Sequence, residues 1–192
     1  MWAKVESGSV TKVYTSPKSL TIGDIQYPRN IFELWSSSEL EAIGIYEVEV
    51  SNTNLKDQEY YNNTSQTFAF ASGKVTASYG SATAKSLTDT SETVDGITTT
   101  ILGLKSVHKN NVNSQAAALL SKHDWMSIRE AEGGTDMPSD IKTWRASVRT
   151  KANSMCTQID NASDVDALKA LYTYNTATPP VRPLGEFPAE PS

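Results

Sequence analysis

Apolar and polar residues alternate through most of the stretch from Met1 to about Leu104, and a period of two belongs to strands with one buried face. Three dipeptides suited to tight hairpin turns interrupt the alternation: Ser7-Gly8, Ser72-Gly73 and Asp95-Gly96. Trp2 to Val5 and Val10 to Tyr14 flank the first, Thr67 to Phe70 and Lys74 to Tyr79 the second, Glu92 to Val94 and Ile97 to Ile101 the third. Three such hairpins predict a meander. Phe68 and Phe70 share one side of their strand, as Val75, Ala77 and Tyr79 do across the turn. A helix of barely two turns follows Ser36, Ser37 or Ser38, any of which can cap it; Glu39 and Glu41 suit its positive end and Gly44 stops it. Ile45 to Val50 alternates again, with Ile45, Glu47 and Glu49 opposite Tyr46, Val48 and Val50. Residues 51–66, rich in Asn, Ser and Thr, predict a loop with at most a short strand at Tyr60-Tyr61, a seam between two β subregions.

After Lys105 the period changes to that of helices. Val112, Ala116, Leu119 and Leu120 mark one amphipathic helix, and Asp124 opens a second that carries Trp125, Ile128 and Arg129 until Gly133-Gly134. The third starts at Pro138, and its Ile141, Trp144, Val148, Ala152, Met155 and Ile159 form an unbroken apolar stripe that has to be buried. Ser163 with Asp166 resembles a capping box for a fourth helix, whose Val165, Leu168 and Leu171 share a face. Five prolines between Thr176 and Ser192 preclude further helix and predict an extended strap, draped on a neighbour or disordered. The expected fold is therefore α+β: an antiparallel β-sandwich-like region over residues 1–104, a small α-helical domain over 105–175, and a Pro-rich tail over 176–192.

Composition narrows the function classes. One cysteine, Cys156, excludes an intramolecular disulfide and fits a reducing cytoplasm. A net charge of −5 offers no basic stripe for nucleic acid. No apolar run is long enough to span a membrane, and residues 1–20 lack the pattern of an export signal, so a soluble protein is expected. The two histidines, His108 and His123, read as exposed polar residues near helix ends, and Cys156 lies beside the apolar stripe, where a small apolar residue is usual. A Cys156/His123 thiol pair is thereby discounted. Gly133-Gly134 follows a helix and terminates it, so it is no phosphate loop, and Asp57 with Glu59 reads as a solvated loop rather than a calcium site. No metal, no cofactor and no catalytic residue is nominated, and the chain reads as a binding protein rather than an enzyme.

Asp124-Trp125, Ile128-Arg129, Glu132-Gly133, Pro138, Trp144-Arg145-Ala146 and Val148-Arg149, together with Tyr27-Pro28, Ile31 to Ser36, Glu39-Leu40 and Ala42 to Tyr46, resemble the tail-fibre assembly and tail assembly chaperone proteins of tailed bacteriophages. The resemblance implies a factor that acts in the host cytoplasm, holds a trimeric fibre protein while it folds, and then leaves or stays on the virion tail. Residues 50–105 and the tail are not covered by it. On this reading the β half supplies the fibre-binding surface, with Trp35, Tyr46, Tyr60, Tyr61, Phe68, Phe70 and Tyr79 as its aromatic contacts. Trp125, Ile128, Arg129, Trp144, Arg145, Val148 and Arg149 form the assembly motif. Their plainer role is packing, with the three arginines paired to nearby acids. The Ile141 to Ile159 stripe is more than four short helices can easily cover, so a trimer and a 3:3 complex with fibre are expected, the alternative being a monomer whose helices close on the β half. A permanent structural or receptor-binding tail subunit and a glycan hydrolase are the alternatives.

Overall fold

The computed structural model describes residues 1–191, and the chain divides into two compact units, Met1–Thr83 and Ala84–Ser192. The division falls before the third hairpin rather than at residue 104. The amides of Leu104 and Lys105 donate to the carbonyls of Ser86 and Leu87, which ties the residues ahead of the hairpin to the first long helix.

The first unit contains β1 (Trp2–Glu6), β2 (Ser9–Tyr14), β3 (Leu20–Ile22), β4 (Ile25–Tyr27), α1 (Ile31–Leu34), α2 (Ser37–Ala42), β5 (Ile45–Ser51), β6 (Tyr61–Asn62), β7 (Gln66–Ala71), β8 (Lys74–Tyr79) and the start of β9 (Thr83–Ala84). Hairpins β1–β2 and β7–β8 turn at Ser7-Gly8 and Ser72-Gly73, where all four residues have positive φ, as a type I′ turn requires. Ser36 is the cap of α2 and closes a reciprocal box with Glu39. The strand order β2-β1-β5-β8-β7 is not the expected meander, and the sheet is not wholly antiparallel, because β5 and β8 run parallel. The chain leaves β5, passes beyond the position β8 will take, descends as the edge strand β7, and returns inside it. Burial follows this insertion. Val75 and Ala77 of β8 are completely buried, whereas Thr67, Ala69 and Ala71 of β7 are exposed and suit an edge.

Both faces of this sheet carry apolar residues. Ala3, Val48, Val75 and Ala77 lie on one, surrounded by Met1, Val5, Val10, Val13, Tyr46, Phe68 and Phe70, and the sheet curls so that β2 approaches β7. On the other, Tyr14 and Ile45 pack with Leu20, Ile31, Phe32 and Leu40 from β3, α1 and α2. The fold class is thus α+β as expected; no second sheet of more than two strands occurs among the described residues.

The second unit contains β10 (Thr90–Val94), β11 (Ile97–Ile101), α3 (Leu104–Ser121), α4 (Asp124–Ala131), α5 (Ser139–Asn161) and α6 (Val165–Tyr172). All six stripe residues of α5 are buried within the single chain, with α3 and α6 packed on α5. Surplus apolar surface on this helix, the physical motive for a trimer, is therefore absent. The cap of α6 is Asp164, not Ser163: its Oδ1 accepts from the Ala167 amide at 2.7 Å. Leu184 and Pro188 of the Pro-rich tail are held by α5 and α6 of the same unit. The Leu184 side chain is buried, its amide donates to the Leu171 carbonyl, and its carbonyl accepts from Lys151 Nζ at 2.7 Å. Further along, Trp144 Nε1 donates to the Pro188 carbonyl at 3.1 Å. The last residue of the expected tail, Ser192, lies outside the described residues.

Trp144 joins the stripe to the strap, so Trp144→Ala is expected to destabilise the second unit by about 3–5 kcal/mol in urea unfolding. Trp144→Phe keeps an aromatic ring but loses the N–H and the smaller ring of the indole, and should cost less than Trp144→Ala in the same measurement.

Candidate functional site

In the β10–β11 ribbon each of the ten residues is open to solvent. Val94-Asp95-Gly96-Ile97 forms it because Asp95 and Gly96 both adopt positive φ, and the Thr-rich arms favour extended backbone. The register pairs Val94 with Ile97, Glu92 with Thr99 and Thr90 with Ile101 on one face; Ser91, Thr93, Thr98 and Thr100 occupy the other. Thr93 and Thr98 share a hydroxyl hydrogen bond of 2.9 Å. Val94, Ile97 and Ile101 are 58%, 70% and 50% exposed, and no other strand pairs with either edge. Such a ribbon presents an uncovered apolar face together with rows of unpaired backbone donors and acceptors.

Its base is rigid. Asp89 Oδ1 accepts from the Gly103 amide at 2.8 Å, and this hydrogen bond, followed by one from Ser106, holds the Asp89 carboxyl below the usual carboxylate range. A Cβ on Gly103 would sit 2.3 Å from the Thr88 carbonyl carbon, so only glycine permits this closure.

A second apolar exposure lies on α4. Trp125 and Ile128, assembly-motif residues that could equally have been core, are more than half exposed. The Arg129 guanidinium lies 5.0 Å from the Trp125 ring centre and donates to the carbonyls of Thr135 and Asp136, so it braces the following loop instead of pairing with an acid. Arg145 does pair as expected: it is buried, bonds Asp124 at 2.8 Å and donates to the Leu120 carbonyl. Trp144 and Val148 are core, and Arg149 is exposed.

The expected aromatic contacts do not form one surface. Tyr46 packs edge-on against Phe70 at 4.8 Å beside Phe68 on the inner face of the curled sheet. Trp35 packs against Tyr27 on the opposite side. Tyr60 is buried, and Tyr61 and Tyr79 are half-buried. Loop 51–66 is more ordered than its composition implies, because the Asn63 side chain both accepts from the Lys56 amide and donates to the Lys56 carbonyl.

Both histidines differ from expectation. His108 is buried with its ring 4.7 Å from Tyr172, since Leu104, His108, Val112 and Ala116 recur every four residues on the inner face of α3. That spacing was the signal, and the polar label of histidine concealed it. His123 stacks edge-on against Trp144, and its Nε2 lies 2.8 Å from Glu190 Oε1. Cys156 sits against Asn113, some three turns of α5 from Trp144, and burial raises its thiol pKa. It is not brought to His123. No group of three or more His, Cys, Asp or Glu side chains that could hold a metal ion is found among the described residues, and no described helix is long and apolar enough to cross a membrane.

Compared with protein-family models, curated proteins and solved structures, the chain matches none.

Gly103→Ala should open the ribbon's base, and hydrogen exchange of the amides of residues 90–101 should accelerate while α5 stays protected. The Asp89 contribution carries the sign of a depressed carboxylate: it is complete above the ordinary value of about 3.9 and is lost as pH falls through the lower folded value. Gly103 amide exchange, corrected for its intrinsic pH dependence, should therefore rise only below about pH 4.

Proposed function

We propose that this protein is an assembly chaperone for a trimeric phage tail-fibre protein, and that the β10–β11 ribbon engages the client by adding to its strands. The observation that carries the reading is the ribbon itself, exposed at every residue, with two edges and an apolar face that nothing among the described residues covers. An unfinished β-structured fibre offers the same kind of edge, and strand addition satisfies both partners' backbone groups. Holding such an edge until its own partner chain arrives is a chaperone's task and needs no active site. Trp125 and Ile128 provide a second apolar contact for the same client.

Three fibre chains present three equivalent edges, so one chaperone per fibre chain, a 3:3 complex, remains the proposed stoichiometry. It now rests on the client's symmetry, since the chain buries its own helical stripe. Assembly takes place in the host cytoplasm.

Co-expression with the fibre tests this. Soluble, trimeric fibre should appear only with the chaperone, and an Ile97→Lys/Ile101→Lys variant should fail to produce it while keeping the wild-type melting profile, because both residues are exposed. Fibre that is soluble and trimeric without this chain would remove the chaperone reading. The chain at fibre stoichiometry in mature virions would make it a permanent tail subunit.

A further inference from the structure

The first unit holds a concave site remote in chemistry from any strand-binding role. A cavity of about 610 Å³ opens beside the β3–β4 hairpin, lined by Lys12, Ser19, Thr21, Gln26 and Tyr27 around Tyr14 and Leu20. Its volume lies within the usual range for small-ligand sites. The lining is polar, and no carboxylate belongs to it.

Its positive charge is left uncompensated. Lys12 Nζ and Lys18 Nζ lie 5.7 and 5.2 Å from the centroid of the same Tyr14 ring, so the two ammonium groups are no more than about 11 Å apart. Lys12 also stands directly across the ladder from Lys4. Cross-strand like charges repel, and here only one of the two is relieved: Lys4 pairs with Glu6 at 2.7 Å. Among the described residues neither Lys12 nor Lys18 makes an ion pair, in a protein whose net charge is −5. Lys12 lines the cavity, and Lys18, outside its lining, stands over the Tyr14 ring that does; together the two cations favour an anion there. Beside Tyr14, Leu20 and Pro28, the remaining lining residues are Ser19, Thr21, Tyr27 and Gln26, whose hydroxyl and amide groups match a ligand carrying several hydroxyl groups.

We propose that this cavity binds a sugar acid, a small saccharide whose carboxylate is held by Lys12 and Lys18 and whose hydroxyls meet Ser19, Thr21 and Gln26. The inference stands apart from the client-binding reading, since it uses none of the ribbon's residues and survives or fails without it.

Titration of the full chain with glucuronate, glucose and inorganic phosphate, followed by amide chemical shifts, tests the assignment. Glucuronate should shift Leu20, Thr21 and Gln26 with a millimolar midpoint that weakens as salt is added, while glucose leaves them in place. Lys12→Gln and Lys18→Gln should each weaken glucuronate about tenfold or more, the loss expected for a charged hydrogen bond, and Lys18→Arg should retain it. Both lysines project from the surface, and unchanged melting would confirm intact folds. The proposal is overturned if glucuronate produces no shift up to ~100 mM, if glucose binds as well, or if the lysine variants bind unchanged. Phosphate that shifts the same amides as strongly as glucuronate also overturns it, since the cavity would then read charge alone.

Discussion

One face of α5 has to be kept from water, and most of the second unit is arranged to do so. The helix is 23 residues long, and Ile141, Trp144, Val148, Ala152, Met155 and Ile159 run down a single side of it. Neither α3 nor α6 alone matches that length, so the strap contributes Leu184 and lies across Trp144. Lys151 fastens it by donating to the Leu184 carbonyl. At Gly185, a Cβ would stand 2.3 Å from the Lys151 ammonium, and glycine's bare backbone leaves that route open. Arg145 is the one charged side chain buried on α5. Its cost is offset by the Asp124 carboxylate and by the Leu120 carbonyl near the C-terminal end of α3, which also accepts from the His123 amide. That pairing fixes where α4 begins. The consequence for function is that Trp125 and Ile128 face outward by construction, while their motif companions Trp144 and Val148 face inward.

The local chemistry of the chain was legible and its strand order was not. Ser-Gly and Asp-Gly dipeptides between alternating runs placed three of the four hairpins, and the α5 stripe was complete from spacing alone. The parallel β5–β8 pair was hidden, because a hairpin can insert in either orientation after a loop as long as 52–65, and composition does not decide between them: the edge strand β7 (QTFAFA) is no less apolar than the inner strand β8 (KVTASY). Ile22-Gly23-Asp24-Ile25 carried a hairpin signal as well, yet strands of three residues are too short to show a period. In the tail the prolines excluded helix but could not reveal its anchors, since Leu184 is isolated in sequence and Trp144 lends its N–H from forty-four residues away. The candidate site failed for a related reason. Alternation in β10 and β11 states that one face is to be covered, and it is silent on whether the cover belongs to this chain.

A two-stranded ribbon in water is marginal, and this one persists through features that do not hide its apolar face. Threonine and isoleucine are stiff at χ1 and favour extended backbone, the turn residues accept positive φ, and the Asp89–Gly103 clamp joins the two ends. The Thr93–Thr98 bridge strengthens the opposite face. The ribbon is therefore ordered before any partner arrives, which reduces the conformational entropy lost on binding.

The two edges are not equivalent. β10 carries Glu92 at its centre, with Asp89 just before the strand and Asp95 just after it, so an approaching strand meets a row of negative charge. β11 is Ile97-Thr98-Thr99-Thr100-Ile101, with no charge and no proline to obstruct pairing. Addition of a strand is thus easiest at β11. Self-association through that edge would join two chains of net charge −5, whereas a client strand that is neutral or basic meets no such opposition. The repulsion is weak at physiological salt, where exposed charges more than ~8 Å apart are largely screened. It biases encounters without forbidding them, and a foreign strand wins only if it also covers Val94, Ile97 and Ile101. In the proposed complex, selectivity would come from the client's side chains on that one face, while the backbone would supply affinity to any extended segment.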